Sequence, residues 1–207
     1  MPYPVTVGVE PRITNRNRLT TAFRLILAIP HVILVGGPGA SVMAGRQGWL
    51  AGGQNGLLGA ATFILAIVSW FTILFANVHF GSIREFTRFY LRWHLRVAAY
   101  VALLTDEYPP FGDGEYPTTI AIVDPVAPRD KLTIAVRLLL AIPHFIVLVF
   151  VGLAWGIVTV IVWFVILFTA TYPEGVARFS VGVLRWYLRV EAYVLLMVDE
   201  YPPFSLE

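Results

Sequence analysis

The residues best placed to do chemistry occur twice in this chain. Asp106-Glu107 and Asp199-Glu200 are adjacent acids, each opening an Asp-Glu-Tyr-Pro-Pro-Phe segment, and paired carboxylates can divide general-acid and general-base work. Arg24 and Arg137 precede His31 and His144 by seven residues, which puts cation and imidazole on one helical face. Imidazole titrates near neutrality, so these histidines could carry protons. Two histidines without cysteine or acidic companions make a poor metal site; capping the carbonyl freed by Pro30 or Pro143 is a simpler use. The acids also have a simpler use. At a helix C-terminus the macrodipole is negative, so a carboxylate there needs a cation. Arg24 with Asp106 and Glu107, and Arg137 with Asp199 and Glu200, read as structural clamps tying helices together. The alternative is one site between the repeats that also takes in His31 and His144. Phosphate loop, nucleophile elbow, HExxH helix and dinucleotide fingerprint are missing. No catalytic residue, metal or cofactor is therefore assigned. His79 and His94 have no second copy, being matched by Tyr172 and Tyr187.

The elements that must position these residues are themselves duplicated. Leu91 to Phe111 returns at Leu184 to Phe204 with an offset of 93, and Leu19 to His31 returns at Leu132 to His144 with an offset of 113. The difference is a glycine-rich insertion at 36–55 in the first copy. Residues 1–111 and 112–207 form two tandem repeats. Each opens with a short alternating segment, 3–10 or 116–123, whose period of two predicts a strand. The two strands could pair with each other.

Hydrophobic residues make up 57% of the chain and charged residues 14%, far from the balance of a soluble domain. Leu138 to Ala170 carries no formal charge. As one helix it would be roughly 50 Å long, against a ~30 Å hydrocarbon core. Either it holds one span preceded by an in-plane helix bent at Pro143, or two short spans folded at Gly152 to Gly156. The insertion favours the second, because a loop lengthens most easily where a turn already exists. Each repeat is thus expected to contain a transmembrane hairpin: helices 18–36 and 57–78, then 131–151 and 154–171. The fold class is all-α integral membrane, with four transmembrane helices in two parallel repeats. With no secretory signal expected, the first apolar helix would act as an uncleaved anchor. Fourteen of the fifteen cations then share one side with both termini, and only Arg46 lies opposite. The positive-inside rule makes that side cytoplasmic.

Helices 82–105 and 174–198 combine an arginine flank with an aromatic flank. Lying in the membrane interface, Arg84, Arg88, Arg92, Trp93 and Arg96, with Arg185, Trp186 and Arg189 in the second copy, would meet lipid headgroups.

The segments RLILAIPH at 24–31 and RLLLAIPH at 137–144, with the two LRWxLRVxAY and DEYPPF ends, resemble a family of uncharacterised bacterial membrane proteins known only as a domain of unknown function. That resemblance implies a bacterial cytoplasmic-membrane protein with no assigned activity. The expected function is a non-enzymatic integral membrane protein engaging anionic lipids of the inner leaflet, as scaffold or accessory subunit. The alternative is a small carrier or lipid-handling transporter with a site between the repeats. Membrane lipids, a second copy or another membrane protein are the expected partners, and nucleic acid is not.

Overall fold

A computed structural model describes residues 3–37, 56–126 and 128–207. The alternating valines form strand β1, Val5–Val9, with Val5 and Val7 buried. β2, Thr118–Ile122, pairs with it antiparallel, Val7 opposite Ile120. The rest is mostly helical: α1 (Arg18–Ala22), α2 (Arg24–Val35), α3 (Gly56–Ala76), α4 (Gly81–Val101), α5 (Lys131–Ala135), α6 (Arg137–Thr169) and α7 (Glu174–Val194). Asn17 and Asp130, equivalent in the two repeats, cap α1 and α5 by accepting the N–H groups of Leu19 and Leu132.

The second hairpin is corrected. Arg137–Thr169 is one helix of 33 residues, with no turn between 151 and 154. A helical glycine costs only about 1 kcal/mol, whereas a turn in an apolar stretch strands several backbone groups without partners. Gly152 and Gly156 therefore stay helical. In the first repeat α2 and α3, of 12 and 21 residues, together match the 33 of α6. Gly56 (φ +67°) abuts the end of α2: a Cβ there would lie 2.5 Å from the Leu34 carbonyl. The buried positions also correspond. Arg24, Ala28, His31, Ser69 and Ile73 match Arg137, Ala141, His144, Val162 and Ile166. So α3 resumes where α2 stops, and the insertion interrupts a helix instead of extending a turn. The external loop expected there, with Arg46, lies outside the described residues. Joining Val35 directly to Gly56 is expected to leave the thermal midpoint in detergent unchanged or raised, since it removes the entropy cost of holding together the two ends of a long insertion. A loss of more than about 2 kcal/mol would show that residues 36–55 are needed for folding.

Two helices, α3 and α6, are long and apolar enough to cross a membrane; the four transmembrane helices are not found among the described residues.

The helices expected to lie in the interface are also corrected. α4 and α7 form a central layer. α4 touches β2 on one side and α2 and α3 on the other, while α7 lies between β1 and α6. Tyr90, Leu91, Leu95, Ala99, Leu184, Leu188 and Tyr193 are among their fully buried side chains. An apolar stripe at period 3.6 records that a face is covered but not by what; here the covering is the chain's own apolar helices. The repeats also reach into each other. Trp70 of α3 donates to the Ile134 carbonyl at 2.9 Å, and its equivalent Trp163 of α6 donates to the Thr21 carbonyl at 2.8 Å.

Candidate functional site

Each central helix ends on a left-handed residue, Leu103 or Leu196, both with φ of 64°. This turn leaves carbonyls without intrahelical partners, and a buried arginine fills them. Arg24 donates to the carbonyls of Tyr100 and Thr105, and Arg137 to those of Tyr193 (3.0 Å) and Val198 (2.8 Å). Their guanidinium carbons lie 4.3 and 4.5 Å from the ring centroids of Tyr100 and Tyr193, close enough for cation–π attraction. A cation at a helix C-terminus opposes the macrodipole.

The aspartate just beyond each helix then completes the cluster. Arg24 lies 2.8 Å from Asp106, and Arg137 lies 2.7 Å from Asp199. A second arginine joins each pair: Arg16 at 2.7 Å from Asp106 and Arg129 at 2.5 Å from Asp199. Asp106 also accepts the Asn17 N–H at 3.0 Å. Glu107 and Glu200 are exposed and stay outside the clusters. Sequence reasoning missed Arg16 and Arg129. The signal was present, because each stands eight residues before the buried arginine of its repeat, followed by the cap residue Asn17 or Asp130.

Burial works to raise the Asp106 carboxyl, but Arg16, the Asn17 N–H and Arg24 outweigh it and hold it below the usual carboxylate range. Asp199 is likewise pushed up by burial and brought down further by Arg129 and Arg137. A depressed folded pKa gives stability that is complete above the unfolded value, about 3.9, and lost as pH falls through the folded one. His79 acts in an earlier window. Its Nδ1 lies 3.3 Å from Arg129, and burial, then Arg129 and Arg84, push it down to about 4. The unfolded chain therefore takes up a proton first, and stability falls as pH drops from about 6.5 toward 4. His79→Gln is expected to flatten the thermal midpoint across that range in a pH series. An unchanged slope would remove His79 as its source.

His31 and His144 sit in matching aromatic boxes. Trp93 donates its indole N–H to His31 Nδ1 at 3.1 Å, and Phe111 stacks on the ring at 4.2 Å. Trp186 and Phe204 do the same for His144 at 3.2 and 3.9 Å. Each histidine stays within its own repeat, and so does each clamp. Arg24, His31, Arg137 and His144 thus do not converge on one site. Among the described residues no group of three or more metal-ligating side chains comes together.

Residues 55–112 and 131–205 match one protein family, described as a domain of unknown function, DUF4389. The two matches cover more than half of the chain. It belongs to the DUF4389 family. The doubled match follows the duplication: each matched stretch contains one DEYPPF end with its tryptophan and phenylalanine, Trp93 and Phe111 or Trp186 and Phe204, while Arg16, Arg24 and His31 lie before the first stretch and Arg129 before the second. Neither the curated proteins nor the solved structures compared with this DUF4389 chain give a match.

The arginine flank of the central helices meets protein. Arg84 and Arg88 pair with Asp124, and Arg92 with Asp113 at 3.3 Å. Arg96 donates to the carbonyls of Gly112 and Gly114. Arg185 reaches the carbonyls of Val7 and Leu206, and Arg189 that of Glu207. Trp93 and Trp186 are buried. The aromatic flank therefore does not face lipid. Between the repeats, Glu191 accepts from Tyr90 at 3.0 Å and lies 3.1 Å from His94. Their counterparts are Ala98, Val183 and Tyr187, so this polar contact joins α4 to α7 with one copy only.

The chemistry available is that of ion pairing and capping. The most exposed side chains of the long helices are apolar. Leu25, Phe75, Leu139, Phe150 and Phe168 are each 66% exposed or more, all on α2, α3 and α6.

Proposed function

We propose that this DUF4389 chain is a non-enzymatic membrane protein that engages anionic lipids and serves as a scaffold or accessory subunit of a membrane assembly. The observation that carries this reading is the outer surface of α2, α3 and α6. It is apolar on every exposed turn, far beyond the patch size a water-soluble monomer leaves uncovered. Cations stand where headgroups would be. Arg18 and Lys131, the first residues of α1 and α5, are exposed and each is followed by an exposed leucine, Leu19 or Leu132. Tyr108, Phe111, Tyr201 and Phe204 are half-exposed beside α2 and α6, the placement aromatic residues take at a membrane boundary. Fourteen of the fifteen cations lie outside the 36–55 insertion, most of them on or beside the strand and central-helix layers. This supports a polar body on the cytoplasmic side of a bacterial membrane. The carrier alternative has less in its favour, because the four residues it would use are committed to two separate structural clusters.

Alkaline carbonate extraction followed by native mass spectrometry tests this. The protein is expected to stay with the membrane and to retain anionic phospholipid in preference to zwitterionic. Release by carbonate, or retention of lipid without regard to headgroup charge, would contradict the reading.

A further inference from the structure

The long apolar helices have one inward stripe and one outward stripe. At about 100° per residue, Leu139, Phe150, Ile157 and Phe164 of α6 fall within about 20° of one line. They are 66, 68, 56 and 50% exposed. Arg137, Ala141, His144, Trp155, Val162 and Ile166, all buried, fall on the opposite line. The equivalents in the first repeat, Ile26, Leu57, Ile64 and Phe71, are 63, 66, 61 and 50% exposed. The stripe thus runs through the junction of α2 with α3 without changing face.

Both ends of α6 are held by the polar body. At the start, Arg137 joins Asp199. At the finish, the carbonyl of Phe168 accepts from Arg18 and that of Ala170 from the Arg16 N–H. Between these ends α7 runs back beside α6, with Trp186 on His144. Polar partners also accompany the central layer along its length. Asp124 sits at Arg84 and Arg88, Asp113 at Arg92, and the Gly112 and Gly114 carbonyls at Arg96. β1, β2 and the chain following each DEYPPF segment form the layer on that side.

If α6 stood across a bilayer, that strand, loop and arginine layer would stand across it too. Irregular backbone and paired charges exposed along a full membrane thickness are not tolerated. A continuous 33-residue helix, roughly 50 Å along its course, is also well beyond the ~30 Å core. Both conflicts vanish if the helices lie flat. We infer that α2, α3 and α6 lie parallel to the membrane plane and form a docking surface for one leaflet of an anionic bilayer. Their outer stripes enter the hydrocarbon, Arg18 and Lys131 stand at the headgroups, and the strand layer faces water. This inference rests on the membrane reading proposed above.

The chain contains no cysteine, so single-cysteine variants report without background. Arg18→Cys lies at the finish of α6, Lys131→Cys near its start, and Phe150→Cys on its outer stripe. Each is treated with a membrane-impermeant maleimide in sealed right-side-out and inside-out vesicles. Expected are labelling of Cys at 18 and 131 in the same vesicle orientation, and no labelling at 150 until detergent is added. Labelling of 18 and 131 in opposite orientations would overturn the flat arrangement while leaving the protein in the membrane. Labelling at 150 in intact vesicles would overturn the membrane reading itself, and the inference with it.

Discussion

Asp106→Ala is expected to destabilise the protein by about 3–5 kcal/mol, the cost of leaving a buried ion pair half made. The substitution strands two guanidinium groups, those of Arg16 and Arg24, whose side chains are 0 and 1% exposed. It also removes the acceptor for the Asn17 N–H. For a chain of this size the thermal midpoint should fall on the order of 10 °C. Asp106→Asn keeps the shape without the charge and should recover only part of the loss. The second repeat supplies an internal control. Asp199 has the equivalent partners, Arg129 and Arg137, but its side chain is 30% exposed against 6% for Asp106. Arg129 and Arg137 are themselves only 5 and 2% exposed, but water can fill the more open place the carboxylate leaves, so Asp199→Ala should cost less. Arg24→Ala removes both the ion pair and the cap on the Tyr100 and Thr105 carbonyls. In a double-mutant cycle, Arg24→Ala with Asp106→Ala should cost clearly less than the sum of the two. Additivity within about 0.5 kcal/mol would mean that they do not act together.

Trp93→Ala carries the second large effect, again about 3–5 kcal/mol. The indole fills space between α4 and α2 and is the donor to His31 Nδ1. Truncation leaves both a cavity and an unsatisfied buried nitrogen. Trp93→Phe separates the two terms, because it keeps most of the volume and loses only the N–H. It should cost about 1–3 kcal/mol, the penalty for one unsatisfied buried group. Trp186→Phe should cost a similar amount through His144, given the matching geometry of 3.2 Å. Thermal melts of the purified variants in one detergent measure all three. A Trp93→Phe variant indistinguishable from the parent would show that shape alone holds the aromatic box.

The parts of the molecule legible in the sequence are those the duplication repeats with side chains intact. Arg24 and Asp106 stand out because a charge near the start of an apolar helix and an acid at a helix end both call for partners, and both recur as Arg137 and Asp199. The two strands are legible from their alternation, which leaves their pairing open; β1 and β2 do pair. The same duplication also held Arg16 and Arg129, but their surroundings differ enough that the match begins only at Leu19 and Leu132. The layer order was not legible. A stripe of Phe89, Trp93, Val97 and Tyr100 has the same period whether lipid or α2 covers it. Nor was the uninterrupted course of α6. A glycine-rich insertion in one repeat marks where chain can be added, and Gly56 shows that such a place can be the middle of a helix, provided the two ends meet.

The orientation of α6 is the point on which the most depends, and depth measurement addresses it directly. Nitroxide labels on single cysteines replacing Leu139, Phe150, Ile157 and Phe164, one outward line along the helix, are compared in anionic liposomes. Accessibility to oxygen against a water-soluble nickel complex gives the depth of each. A helix lying flat in one leaflet gives four similar depths, all within the hydrocarbon. A depth that rises to the bilayer centre in the middle of the series and falls again toward its ends would mean that α6 crosses the membrane, and would contradict the flat arrangement.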